Sequence, residues 1–396
     1  MPTQPEVNNA SALPPIWRLA FRPFFVSGAV FAVAAISLWI SFLLGWLPTW
    51  NPPGGALAWH RHEMPFGFTS AIIAGFLLTA LQTWTGRPGI KGIPLAIVFT
   101  LWLVARLAWF LGLPTPVLLA LQLLFLPALA LLVGRELIAV RQRNNYPILV
   151  VLMVLAGCQV LALAGILYSD DGLQRRGELS ALWMIAALMG VIGGRVIPFF
   201  TQRGLNLPAP FKAHPRLDRL GLLATAGVAI LTAAGFSQTP HLWMAALFAV
   251  VSVLHGSRLW RWHHTGIWGV PLLWSLHMAY AWLVIAALGM MLWHLGVLDQ
   301  QSLATHSLAV GSVGGLILAM LARVSLGHTG RPLQPAKAIN VAFMLINAAA
   351  FSRVVLVPFC SAGLWLSGVL WALAFMLFAR YYAMMFFTPR PDGGPG

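Results

Sequence analysis

The most chemically loaded stretch of the chain is Trp59-His60-Arg61-His62-Glu63-Met64-Pro65, with two imidazoles and a carboxylate within four residues. Neutral imidazole ligates haem iron or copper, and a carboxylate beside it carries protons or orients the ring. On a continuous helix His60 and His62 point about 200° apart, so they cannot share one metal ion. One reading makes one or both of them ligands, with Glu63 as the proton or orienting group and Met64 as a soft neighbour. The blander reading is interfacial histidines and a capping Glu63. His306 lies in the first turn of a separate apolar run, and two histidines at equal depth on two helices suit a bis-His haem. His277 has no charged neighbour in sequence, so it reads as a ligand or proton-relay group, or else as a hydrogen-bonded structural histidine. His328 and then His255 are weaker ligand candidates. His214, His241, His263, His264 and His294 read as interfacial. Cys158 and Cys360 form no disulfide or metal pattern and read as buried small hydrophobes.

The elements that must hold these residues are membrane helices. Of the 396 residues, 59% are hydrophobic and 8% charged, against roughly 25% charged in soluble domains. Mean hydropathy is +0.82. So few charges cannot cover a soluble globule, and the fold class is all-α and polytopic. Twelve apolar stretches predict spans at 24–46, 64–84, 92–112, 114–134, 146–168, 178–201, 219–238, 240–259, 268–293, 302–326, 338–359 and 363–387. The short linkers leave no room for a soluble domain, so residues 1–396 read as one integral membrane unit. Residues 1–15 and 390–396 read as disordered cytoplasmic tails, and the N-terminus lacks a signal-peptide pattern. If the spans alternate, 17 basic residues share a side with both termini, 3 (Arg61, Arg175 and Arg176) lie opposite, and 4 fall inside spans. That asymmetry places both termini in the cytoplasm. The net charge of +15 is thereby a topology signal, and nucleic-acid binding loses its support.

An internal repeat relates the spans. Residues 62–88 align without a gap to 306–332, sharing His62/His306, Gly67/Gly311, Ile73/Ile317, Leu77/Leu321 and the run Thr85-Gly86-Arg87-Pro88/Thr329-Gly330-Arg331-Pro332. Span six follows more weakly. Its Arg195-Val196 and Thr201-x-Arg203 match Arg323-Val324 and Thr329-x-Arg331, with Glu178 where the histidines stand. Spans two, six and ten are thus related, which predicts three four-helix units in pseudo-threefold array. A major-facilitator transporter would repeat every six spans, and span eight carries neither signature.

Arg106, Arg195, Arg323 and Arg353 are the four intramembrane arginines. Arg195 and Arg323 either snorkel to headgroups or bind an anion. Arg353 and Arg61 compete as partners for haem propionates. No acid lies mid-span, since Glu63, Glu136 and Glu178 are near ends, which argues against proton pumping. There is no Cys-x-x-Cys-His, Walker or dinucleotide motif, so a haem would be non-covalent and b-type. Methionine and aromatic stripes read as helix packing, with Met64 held open as a copper neighbour.

At these residues the chain resembles the NnrS family of bacterial inner-membrane proteins. The likeness rests on Arg22-Pro23-Phe24-Phe25, His60-Arg61-His62-Glu63-Met64-Pro65-Phe66-Gly67-Phe68, Trp84-Thr85-Gly86-Arg87, residues 194–201, 272–277 and 322–331. It implies a haem- and copper-containing polytopic protein associated with denitrification and resistance to nitric oxide. A more distant likeness in architecture is to the catalytic subunit of haem–copper oxidases and nitric oxide reductases, whose low-spin haem would map onto His62 and His306. This chain departs from that superfamily in having no histidine in spans six or seven and only one in the outer half of span ten. A second haem facing copper therefore does not carry over.

The resulting expectation is a haem-dependent membrane protein that acts on nitric oxide, most simply by reducing it to nitrous oxide. His62 and His306 are the leading haem ligands, while His277, His60 and Glu63 are candidates for a second metal or open coordination position. An electron donor, quinol or cytochrome, is implied if it is an enzyme, and protons would enter through Glu63 or Glu178. The alternatives are a non-enzymatic haem or copper sensor or protective factor, and a transporter of a metal or small anion.

Overall fold

The computed structural model describes residues 13–394, so the expected tail 1–15 falls largely outside the described residues, whereas 390–394 of the expected tail 390–396 are described, with Arg390 paired to Asp392. The described chain is helical with no strand. Helices α1 to α12 run in order: Phe21–Leu43, Gly55–Thr85, Gly92–Ala108, Thr115–Ala139, Tyr146–Tyr168, Asp171–Gly204, Pro215–Ala233, Leu242–Trp262, Pro271–His294, Gln301–His328, Lys337–Leu356 and Ala362–Phe387. Each corresponds to one expected span. Ten are long and apolar enough to cross a membrane. The other two are α3, with 17 residues, and α7, whose first turn carries Asp218 among basic residues. α4 is interrupted after Gln122 and resumes at Phe125.

The shared Thr-Gly-Arg-Pro run is a helix stop. The Thr85 and Thr329 hydroxyls donate back to the carbonyls of Leu81 and Ser325, at 2.7 and 2.6 Å. Gly86 and Gly330 then take left-handed φ values of 68° and 67°, a conformation glycine adopts without a Cβ penalty. The proline two residues later cannot continue a helix.

α2 begins at Gly55, nine residues earlier than the hydropathy pattern predicts, because Arg61, His62 and Glu63 find partners on other helices. The His60–Glu63 cluster thus lies within the helix rather than before it. Immediately after His62 the helix widens into a π-helical segment, Glu63–Thr69, and immediately after His306 α10 does the same at Ser307–Gly314. A third π segment, Ser352–Leu356, carries Arg353 in α11. Such segments leave backbone groups shifted out of the regular ladder and often mark functional positions. α6, the third relative, runs as a continuous helix.

Neighbours in sequence pack against each other from α4 to α12, and α12 packs along α1, which packs on α2, so the bundle closes on itself. Between α2, α6 and α10 lies an apolar cavity of about 80 Å³.

Candidate functional site

α2 sends His60 and His62 into different surroundings, as their helical spacing requires. His62 is fully buried and lies in a polar cluster built by α2 to α5. Its Nδ1 lies 2.9 Å from Glu63 Oε1, and its Nε2 lies 3.4 Å from the Gln159 amide nitrogen. Gln159 also donates to the Gln122 carbonyl at 3.1 Å, which orients its NH₂ toward the ring. The only tautomer that suits both partners carries its proton on Nδ1 and donates it to Glu63. Glu63 in turn accepts from Trp109 Nε1 at 2.8 Å and pairs with Arg106 Nε at 2.8 Å. Arg106 continues to the Phe66 carbonyl, at 2.9 Å, and to the Gln122 side chain. Trp102 donates to the Gly67 carbonyl at 2.8 Å, one of the backbone groups near the π segment.

The His306 region is organised differently. His306 Nδ1 donates to the Ser302 carbonyl at 2.7 Å, which leaves the Nε2 lone pair without a partner among the described residues. Arg353 reaches the Ser302 hydroxyl at 3.4 Å with Nη2, while its buried Nη1 has no partner. His60 stacks on Trp39 with ring centroids 4.5 Å apart, and its buried Nδ1 is also without a partner. Arg353 and His60 lie close enough to His306 to act on it electrostatically, and Arg353 acts likewise on His60. The ring nitrogens of His62 are engaged by Glu63 and Gln159, and no hydrogen bond joins His62 to His306 among the described residues.

The remaining expected residues are dispersed. Arg61 pairs with Asp171 and, at 3.2 Å, with Glu178, so carboxylates already hold it. Glu178 stands in α6 at the register of the two histidines and ties that helix to α2. Both ring nitrogens of His277 face backbone carbonyls, Leu273 at 3.0 Å and Trp262 at 3.3 Å. It lies 17 residues, about 25 Å of helix rise, from the far end of α9, while His306 is only five residues into α10. His328 packs on Phe21 at the opposite end of the bundle from His306. Arg323 lies over the Phe200 ring at 3.7 Å and Arg195 binds Asn145 Oδ1 at 2.5 Å, so the two converge on no shared anion site. Cys158 is buried as expected; Cys360 is exposed, because α11 ends just before it.

A second buried network went unread in the sequence. Thr225 donates to the Gly221 carbonyl and so accepts from His255 Nε2 at 2.9 Å. His255 Nδ1 then accepts the Tyr280 hydroxyl at 2.6 Å, and Arg258 bridges Tyr280, Gly190 and Asp218. Arg258, one of the 17 basic residues counted on the side of the termini, lies within α8 and is 2% exposed. Its place next to the basic end of α8 disguised it. Gln122 and Gln159, isolated amides in apolar runs, were a signal for the first cluster; Trp109 and Arg106 acquire their role only by packing.

The donors around His306 fit a haem. They are two imidazoles with free ring nitrogens and a buried guanidinium nitrogen lacking a partner, the chemistry that axial ligation and propionate binding require. No group of three or more His, Cys, Asp or Glu that could hold a metal ion is assembled among the described residues.

The fold and this site define a multi-pass helical membrane protein with a buried histidine–arginine centre. The family model described as NnrS protein matches residues 15–390, and the chain belongs to the NnrS family. Comparison with curated proteins returns no match.

Proposed function

We propose that this chain is a haem-binding protein of nitric oxide metabolism, set in the bacterial inner membrane with both termini in the cytoplasm. The observation that carries the reading is the unpartnered His306 Nε2 on the turn whose Ser302 hydroxyl Arg353 reaches, with Nη1 of that arginine buried and unpartnered as well. His306 and His60 would hold the haem and Arg353 would bind its propionates. When bound, the haem would supply the iron and its electrons, and with both imidazoles engaged one of them, His306 or His60, would have to leave for nitric oxide to bind. The catalytic form of this reading is reduction: two nitric oxide molecules, two electrons and two protons give nitrous oxide and water. A quinol or cytochrome would supply the electrons, and protons would enter by the surface cluster Asp171, Arg61 and Glu178. Nitric oxide is neutral and apolar enough to arrive through lipid, which suits a bundle with so little polar surface. The twelve helices also support a reading as three related four-helix units, because α2 and α10 share a histidine, a π segment and a stop signal in register.

A second reading is binding without turnover, as a sensor or protective factor. The lack of an assembled second metal donor set among the described residues favours it. Purified protein separates the two. A low-spin haem spectrum that disappears in His306→Ala and His60→Ala, but persists in His62→Ala, is the expected result. Loss in His62→Ala with retention in His60→Ala would restore the repeat-related pair. No haem in the wild type would sink both readings. Nitric oxide consumption under supplied electrons would establish the reductase, and binding without consumption would leave the sensor.

A further inference from the structure

The cavity between α2, α6 and α10 has a composition that the candidate centre does not explain. Its walls follow the repeat. In the alignment of α2 to α10, Thr69, Ile72, Ile73 and Phe76 match Val313, Leu316, Ile317 and Met320, and all eight line the cavity. In the alignment of α6 to α10, the matching positions Ile185, Leu188, Met189 and Ile192 also line it, and Leu77 with Phe25 of α1 complete the wall outside the matched layers. Four layers of three matching side chains therefore line one partly open space on the axis that would relate the helices. The single hydroxyl in the wall, on Thr69, is turned back to the Met64 carbonyl at 2.9 Å.

A cavity with no polar group directed into it offers water none of the two to four hydrogen bonds it needs, so it stays dry. At about 80 Å³ it is about half the size of an apolar cavity of ~150 Å³ that binds benzene or xenon. A lipid chain or a haem is excluded by size; a neutral diatomic or a single heavy noble-gas atom is not. The top layer, Thr69 and Val313, lies at or near the ends of the two π segments, seven residues past His62 and His306. That separation is about 10 Å of helix rise.

We propose that this cavity is a binding site for one small apolar gas molecule, and that its natural occupant is nitric oxide held next to the histidine centre. The gas-binding claim stands by itself, whereas the identity of the occupant rests on the function proposed above. Dispersion contacts with the apolar walls and the lack of competing water would provide the affinity.

Xenon is the probe. Purified full-length protein in detergent or nanodiscs, titrated with xenon and followed by ¹²⁹Xe exchange, should show one saturable site. Val313→Phe at the top layer and Ile73→Phe lower down should each abolish it. Absence of a saturable site in the wild type, with no variant involved, would overturn the proposal, as would unchanged xenon binding in both filled variants. The rate of nitric oxide association with the haem should fall several-fold in the same variants while the haem spectrum is unchanged. Equal rates in filled and wild-type protein would overturn nitric oxide as the occupant. A preparation without haem would defeat the proposed function, and the xenon titration would still decide the cavity.

Discussion

His62 and His306 occupy the same position in two related helices, each followed at once by a π segment and later by the same stop signal, yet their surroundings differ in kind. His62 is closed: both ring nitrogens are engaged, and its carboxylate partner is held by Trp109 and Arg106. His306 is open: one nitrogen is anchored to its own helix at Ser302, whose hydroxyl Arg353 reaches, and the other has no partner among the described residues. Repetition conserved the backbone device, and the helices brought alongside decided what it does. α3, α4 and α5 supply amides, an indole and a guanidinium to the first copy; α11 and the preceding turn of α2 supply a spare guanidinium and imidazole to the second. In α6 the equivalent Glu178 became a tie to Arg61.

The sharpest way to break the closed region is Arg106→Leu. It leaves the buried Glu63 carboxylate without its counter-charge, and removing one partner of a buried pair costs about 3–5 kcal/mol. A large fall in thermal stability is expected. A variant as stable as the wild type would mean that Glu63 is not held as an ion. Gly67→Ala and Gly311→Ala test what the copies share. The added Cβ would stand 2.7 Å from Glu63 Oε2 in one and 2.4 Å from the Trp282 ring in the other. Each should cost about 1–3 kcal/mol, the usual range for overpacking. If only Gly67→Ala is harmful, the close approach belongs to the closed region alone. Ser302→Ala is the gentlest probe of the open region. The backbone carbonyl that anchors His306 survives, and only the 3.4 Å contact with Arg353 is lost. Stability should change by no more than about 1 kcal/mol, with a shift in the haem spectrum; an unshifted spectrum would detach Arg353 from the centre.

Much of the fold was legible because lipid imposes a simple rule: apolar runs of sufficient length become helices. All twelve runs are helical, and the Thr-Gly-Arg-Pro stop is readable residue by residue. The start of α2 was not, because the polar segment from His60 to Glu63 lowers hydropathy while its partners, on helices far away in sequence, satisfy it inside the bundle. The same limit applies to the site. His60, His62, His306 and Arg353 were all marked as chemically costly residues in an apolar chain. Which imidazole stands next to His306 depends on how α2, α10 and α11 pack.

The sequence by itself determined that this is a helical membrane protein, which residues repeat, and which few polar groups must have a purpose. Those follow from composition, spacing and the price of polarity in hydrocarbon. Only the tertiary structure decided that Glu63 is tied up by Trp109 and Arg106, that His306 keeps a free nitrogen, and that α2, α6 and α10 line an apolar cavity. Each of these is a relation between side chains from different helices, and such relations depend on packing in three dimensions rather than on order along the chain.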